Sequence, residues 1–308
     1  MSFKTSGEMK GMVYSMEMMK RENTVEVSNV TKHLGSFCLE EMTMELPKGY
    51  IMGLIGPNGS GKTTLIHLLL GLYKPANGTV VIEGKTYDAS EKSIREEVGT
   101  VLQERLFEEY RTLQENADYC GKYYKNYDAK LLAEYLERFE LDANRKYKGL
   151  SKGEELKFQF AFALSHKPKL LILDEPTGNF DPEFREEFFS ALKAFIADGE
   201  HSVILATHLT EDLDRIADYI TYLENGKMLF SLDIEEMKER YRIISGDAYK
   251  LKLLPPESVI HMEQGEYGSK ALVRHRRRFS YGSLQVNYPT IEELMYYITK
   301  RKGEWNYD

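Results

Sequence analysis

Gly56-Pro57-Asn58-Gly59-Ser60-Gly61-Lys62-Thr63 decides the reading of this 308-residue chain. The run fits G-x-x-x-x-G-K-[ST] at every fixed position. An apolar run, Ile51-Met52-Gly53-Leu54-Ile55, precedes it and predicts a buried strand, while Leu65-Ile66-His67-Leu68-Leu69-Leu70 follows it and predicts a helix. Strand, loop and helix in that order are what such a loop needs to work. Its glycines let backbone N–H groups turn inward on phosphates, and the N-terminus of the following helix adds partial positive charge. Gly56, Pro57, Asn58, Gly59, Ser60 and Gly61 are therefore candidate phosphate-binding residues, with Thr63 and Thr64 opening the helix. Lys62 reaches the β- and γ-phosphates in this reading, and the Thr63 hydroxyl is placed for Mg²⁺.

A second element is Leu170-Leu171-Ile172-Leu173-Asp174-Glu175, an apolar strand whose carboxyl end carries two acids. Strand ends of this kind line the ligand crevice of a parallel sheet. Asp174 suits a water-mediated role on Mg²⁺, and Glu175 suits activation of an attacking water. Neighbouring carboxylates stay ionised most easily beside a cation. Without one, the pair is an acidic strand end in a solvated turn.

Between these elements lies Leu150-Ser151-Lys152-Gly153-Glu154, ahead of a predicted helix over residues 155–164. Ser151 fits a helix N-cap, with Glu154 three residues on completing a capping box. The stretch also resembles the L-S-G-G-Q signature of ABC transporter nucleotide-binding subunits: Ser151 and Gly153 match, Lys152 and Glu154 depart. In that family a capped helix N-terminus faces the γ-phosphate held by the opposite subunit. Glu154 then puts a negative charge near the phosphate unless it folds back onto the cap, and Lys152 supplies a compensating positive one. Lys in this slot resembles the branch linked to export of, or resistance to, antimicrobial peptides.

The resemblance extends to further landmarks in order. Gln103 ends the strand Val98-Gly99-Thr100-Val101-Leu102 and matches the glutamine loop, which implies contact with Mg²⁺ and the attacking water. Asn179-Phe180-Asp181 matches the loop linking two composite sites, with Asp181 as its acid. His208 follows Ser202-Val203-Ile204-Leu205-Ala206-Thr207 and matches the switch histidine on the γ-phosphate. The family's adenine-stacking aromatic is missing, since Leu34 occupies its place. Phe37 stands close by, either as a substitute or as a core residue.

The resemblance implies an α/β fold: a P-loop NTPase (RecA-like) core with an antiparallel β subdomain, an inserted helical subdomain over about residues 105–164, and a small α+β accessory domain. The expected division is an N-terminal extension over residues 1–23, a nucleotide-binding domain over 24–242 and the accessory domain over 243–308. Leu131, Leu132, Tyr135, Leu136 and Phe139 recur at helical spacing in the inserted block. Its Tyr119, Tyr123, Tyr124 and Tyr127 read as packing residues, and its segment 104–110, Phe107 included, as an exposed docking surface. In the last part, Tyr249-Lys250-Leu251-Lys252-Leu253-Leu254 and Ala271-Leu272-Val273 predict strands. Thr290-Ile291-Glu292-Glu293 is a capping box for a final helix. The cluster Arg274-His275-Arg276-Arg277-Arg278 is a solvated basic turn or a contact for anionic lipid or an acidic partner.

Composition narrows the function. Lys plus Arg number 41 against 49 Asp plus Glu, a net charge of −8, which argues against a dedicated nucleic-acid surface. Cys38 and Cys120 match no metal spacing and point to a reducing cytosol. No run approaches the roughly 18 apolar residues of a membrane span. The Met-rich leader is interrupted by Lys4, Glu8, Lys10 and Glu17, unlike a signal peptide. The resemblance therefore implies a peripheral ATPase on the cytoplasmic face of the membrane, powering export of peptides or antimicrobial compounds. ATP and Mg²⁺ are the implied cofactors. The implied partners are a multispanning permease, through which alone it meets the membrane, and a second copy or another ABC ATPase, with no nucleic acid. A soluble ABC-type ATPase of translation or DNA repair is the alternative, yet such chains carry paired nucleotide domains, a coiled-coil insertion or zinc cysteines. A phosphate-loop kinase would leave Ser151, Asp181 and His208 unexplained.

Overall fold

The computed structural model of the protein describes residues 22–265, 268–275 and 280–300. Strands β1 (Asn23–Leu34), β2 (Phe37–Pro47) and β3 (Ile51–Ile55) lead to helix α1 (Lys62–Leu69), then β4 (Asn77–Ile82), α2 (Tyr87–Glu97) and β5 (Val98–Val101). Helices α3 (Leu113–Gly121), α4 (Ala129–Arg138) and α5 (Lys152–Ser165) precede β6 (Leu170–Asp174), α6 (Pro182–Ile196), β7 (Ser202–Ala206), α7 (Thr210–Ile216), β8 (Tyr219–Glu224) and β9 (Lys227–Asp233). The chain continues through α8 (Ile234–Arg240), β10 (Tyr241–Gly246), α9 (Ala248–Leu251), β11 (Val259–Gly265), β12 (Gly268–Arg274), β13 (Gln285–Asn287) and α10 (Ile291–Lys300).

The central sheet is ordered β5-β6-β7-β3-β8-β9, parallel except for β9 on its edge. β3, β6 and β7 are buried at every position, as continuous apolar runs require of strands covered on both faces. Alternate side chains feed two cores. Ile51, Ile55, Leu171, Leu173, Val203 and Leu205 face the helices, whereas Met52, Leu54, Leu170, Ile172, Ile204 and Ala206 face α1 and the sheet β2-β1-β4. That second sheet is antiparallel. In β2, Met42, Met44 and Leu46 point inward and Glu41, Thr43 and Glu45 outward, the two-residue period of a half-buried strand, and a register shift at Glu40 and Glu41 brings Leu39 inward as well.

In the helical block α5 is buried almost all round, packed against α4 and β5. Phe107 is half-buried against Tyr147, Phe158 and Phe162, so it belongs to the core and not to the exposed surface expected for it. Leu106 and Tyr110 are the exposed apolar residues of that segment. Tyr124 and Tyr127 pack as expected, but Tyr119 and Tyr123 are exposed and meet edge to face.

Beyond β9, strands in the order β11-β12-β10-β13 form an antiparallel sheet, and Ile291, Leu294, Tyr297 and Ile298 of α10 join the same core as the nucleotide-site helices. The expected Thr290–Glu293 capping box is present, at 3.1 Å in both directions. Residues 249–254 are not a strand. Asp247 accepts bonds from the N–H groups of Tyr249 and Lys250 and caps α9, which turns Leu251 and Leu254 into the small core of this sheet. Of the basic cluster, Arg274 ends β12 and the His275 N–H donates to Arg240 O, while residues 276–278 lie outside the described residues.

His166, which ends α5, is buried and stacks on Tyr124 at 4.1 Å. Burial holds its imidazole down at about 4, against an ordinary value of 6.5. Below pH 6.5 the unfolded chain takes up a proton that the folded chain refuses, so stability falls as pH drops from 6.5 to 4, by about 3 kcal/mol from this residue. His166→Phe keeps the stacking and is expected to remove this part of the slope, read by urea unfolding across that range.

Candidate nucleotide site

The parallel register sets the site. Leu54 and Asp174 both pair with Ala206, and Val101 pairs with Leu173, so β3, β5, β6 and β7 end level at one edge of the sheet. The residues after those four strand ends meet there. Asn58, Gly59, Ser60, Gly61, Lys62, Thr63, Thr64, Gln103, Glu104, Asp174 and Glu175 line one cavity of about 500 Å³ with Phe37 at its rim.

The loop of residues 56–61 ends on Gly61, whose φ of 112° excludes most side chains. A Cβ there would also lie 2.8 Å from Leu39 Cδ1 and 3.0 Å from Phe37 Cζ. Phe37 is therefore pressed against the phosphate loop, an aromatic ring at the cavity mouth, while Leu34 is absent from the lining. No side chain caps the N-terminus of α1, which leaves its first N–H groups available for an anion. The buried Ser60 hydroxyl has no protein partner.

Lys62 is buried, and its Nζ donates to Gly56 O at 2.7 Å and Pro57 O at 3.3 Å. Burial pushes its pKa down, opposed by the charges of Glu175 and Asp174. Burial pushes Asp174 up, with Glu175 adding to the rise and Lys62 pulling against it. Bound phosphates favour the charged ammonium, and a divalent cation favours the charged carboxylate, so the donors fit a nucleotide with Mg²⁺. No group of three or more His, Cys, Asp or Glu able to hold a metal exists among the described residues. Thr63, Gln103 and Asp174 bring side-chain oxygens to the same cavity, the donor class that a hard divalent cation takes.

Glu175 adopts a left-handed conformation, φ 49° and ψ 44°, which costs a non-glycine residue about 1 kcal/mol. Several bonds hold it. Its N–H donates to Ala206 O at 2.8 Å, and Gln103 Nε2 donates to its carbonyl at 2.8 Å. Its carboxylate accepts from His208 Nδ1 at 2.7 Å and from the His208 N–H at 3.3 Å. His208 thus stands on Glu175, outside the cavity lining. Behind them, sequence reasoning missed a buried network in which Asp212 of α7 accepts from Thr177 Oγ1 at 2.7 Å and from Arg185 Nε at 2.9 Å. It ties the turn after Glu175 to α6 and to the helix after His208. An acid four residues past a strand-end histidine is its only signal in the sequence.

Ser151, Gly153 and Asp181 form a separate group away from the phosphate loop. Ser151 and Glu154 close a reciprocal capping box, Ser151 N–H to Glu154 Oε2 at 2.7 Å and Glu154 N–H to Ser151 Oγ at 3.3 Å. Arg145 also pairs with Glu154. The acid is therefore folded back and neutralised. Lys152 does not stand free to compensate it: its ammonium donates to Gln103 O and pairs with Glu155 at 3.6 Å. Asp181 caps α6 by accepting from the Phe184 N–H at 2.8 Å, the bond that chiefly lowers its pKa.

Known proteins resemble this chain in sequence and in fold. The ABC transporter family profile matches residues 39–178. An uncharacterized ABC transporter ATP-binding protein, YdbJ of Bacillus subtilis, is 33% identical over 217 residues, 70% of either chain. The chain belongs to the ABC transporter ATP-binding family. Nod factor export ATP-binding protein I of Sinorhizobium fredii is 32% identical, covering 70% of this chain and 64% of that protein. The bacitracin transport ATP-binding protein BcrA of Enterococcus faecalis is 29% identical, covering 73% and 74%. Among solved structures, the dimeric post-hydrolysis state of the ATP-binding cassette MJ0796 with ADP and Pi superposes with a TM-score of 0.61 at 26% identity, over 68% of this chain and 98% of that one. This ABC protein is accordingly an ATP-binding, ATP-hydrolysing subunit of a transporter complex. No helix among the described residues is long and apolar enough to cross a membrane.

Gly153 sets how closely the signature helix meets the turn of residues 176–179. A Cβ there would lie 2.6 Å from Asn179 O. Alanine gains up to about 1 kcal/mol of helix propensity, but overpacking against backbone costs about 1–3 kcal/mol. Gly153→Ala is expected to be net destabilising by about 1 kcal/mol in urea unfolding; a stabilised variant would mean that helix and turn are not in contact.

Proposed function

We propose that this ABC ATPase drives an exporter by closing, as a pair of ATPase chains, around two ATP·Mg²⁺. Each nucleotide would lie between the residue 56–64 loop of one chain and Ser151 and Gly153 of the other, with Asp181 near the link between sites. The carrying observation is the shared cavity of Lys62, Gln103, Asp174 and Glu175, with His208 bonded to Glu175.

In this reading the Gly56 and Pro57 carbonyls give up Lys62 to the β- and γ-phosphates, and Phe37 offers its ring to the base. Thr63, Gln103 and, through water, Asp174 would hold Mg²⁺, which would supply charge neutralisation on the phosphates when bound. Glu175 orients water for in-line attack on the γ-phosphorus and takes its proton, Lys62 stabilises the charge on the transferred group, and His208 donates to its oxygens. The partner chain is a second copy or another ABC ATPase, and a multispanning permease holds the pair at the cytoplasmic face of the membrane. A peptide or an antimicrobial compound is the proposed cargo, supported by Lys152 in the signature and by the relative named for bacitracin transport.

Glu175→Gln keeps the shape of the side chain but cannot take the proton. Phosphate release is expected to fall by about a hundredfold or more with ATP binding nearly unchanged, and the variant should elute as an ATP-held dimer in size exclusion. Near-normal turnover would overturn the role of Glu175.

The permease is expected to dock on the exposed part of segment 104–110. Leu106→Asp and Tyr110→Asp should abolish stimulation by the permease while changing basal hydrolysis by less than about twofold, because both side chains point to solvent. Stimulation that survives both changes would place the docking surface elsewhere.

A further inference from the structure

The slot occupied by Lys152 holds glycine in the signature that the chain resembles, so the family pattern assigns this side chain no task. Its surroundings do. The ammonium sits at the first residue of α5 and donates to the main-chain carbonyl of Gln103, 49 residues earlier in the chain. On either side of that carbonyl the loop is already anchored to the same helix by one side chain: Leu102 N–H donates to Gln159 Oε1 at 2.8 Å, and Gln159 Nε2 donates to Glu104 O at 3.0 Å. Lys152 adds the bond at Gln103 itself, the residue whose amide braces the left-handed Glu175.

A continuous path results. It runs from the N-terminus of α5, through Lys152 to the Gln103 main chain, through the Gln103 amide to the Glu175 carbonyl, and from the Glu175 carboxylate to His208. The two ends face different nucleotides in the composite arrangement proposed above, on which this inference rests. The start of α5 faces the phosphates held by the second subunit, whereas Gln103 and Glu175 serve the nucleotide on their own loop. We propose that Lys152 is a positioning residue that links the two sites: its ammonium holds Gln103 in place while the second subunit is away and moves to that subunit's phosphates on closure, freeing Gln103 to engage its own nucleotide. A phosphate oxygen is the stronger acceptor for an ammonium than a neutral carbonyl, which gives the exchange its direction.

Lys152 can be removed without stranding a charge. Its other partner, Glu155, is buried but keeps Arg105 at 3.0 Å. Lys152→Met therefore retains the aliphatic stem and the fold while deleting only the donor, and Lys152→Arg restores a donor. The experiment measures steady-state ATP hydrolysis by the full chain as a function of ATP concentration. The wild type is expected to be cooperative. In Lys152→Met the Hill coefficient should fall to about 1 and maximal turnover by about fivefold or more, with half-saturation changed less than about twofold, and Lys152→Arg should recover cooperativity. A purely structural tether would lower stability in Lys152→Met and leave the Hill coefficient alone. A non-cooperative wild type, unchanged cooperativity in Lys152→Met, or its loss in both variants overturns the link. Size exclusion of Glu175→Gln and of Glu175→Gln/Lys152→Met with ATP separates the two readings. Absence of an ATP-held dimer in the single variant overturns the composite site and the link with it, whereas a dimer in both together with unaltered cooperativity overturns the link alone.

Discussion

Everything at the nucleotide site depends on the register of the parallel sheet. Main-chain bonding places Leu54 and Asp174 on either side of Ala206 and Val101 beside Leu173, so several strands release their chains at one level. The phosphate loop, Gln103, the Asp174–Glu175 pair and His208 are between roughly 30 and 150 residues apart in sequence, yet each stands at or just past a strand end. A one-residue slip would turn the alternating side chains of a strand from one core to the other, and two differently filled cores make that slip costly.

Two helix N-termini carry the electrostatics, and the protein treats them oppositely. At α1 the cap is Gly61, with no side chain to satisfy the first N–H groups and a buried ammonium beside them. At α5 the cap is complete, with Ser151 and Glu154 bonded to each other's backbone and Arg145 neutralising the acid. An open N-terminus attracts phosphate strongly from within the chain. A closed one keeps its dipole with two of its first N–H groups already bonded within the chain.

The C-terminal elements are tied to the same machinery. Asp214 of α7, six residues past His208, accepts the N–H of Ile291 at 3.1 Å and so receives the start of α10. Burial pushes this carboxyl up, against the pull of that bond. Leu213 and Ile216 of α7 lie in one apolar core with Ile291, Leu294 and Ile298. We propose residues 243–308 as an accessory domain on this basis, one that leans on the helix following His208.

By itself the sequence determined the phosphate loop, the acidic strand end and the capping boxes, because each is a local pattern whose chemistry lies within a few residues: Gly61 needs its positive φ, Ser151 needs Glu154 three residues on, and residues 170–174 need burial on both faces. It also carried the order of the family landmarks. Tertiary structure decided what local patterns leave open. Residues 249–254 have the composition of a strand, but the Asp247 cap made the start of the run a helix. Phe107 follows an exposed loop, but three aromatic rings drew it inward. Lys152 has the charge to meet a phosphate, and only the folding of a loop 49 residues upstream against α5 placed a carbonyl within its reach. Side-chain partners that far apart in sequence are chosen by packing, which no local spacing encodes.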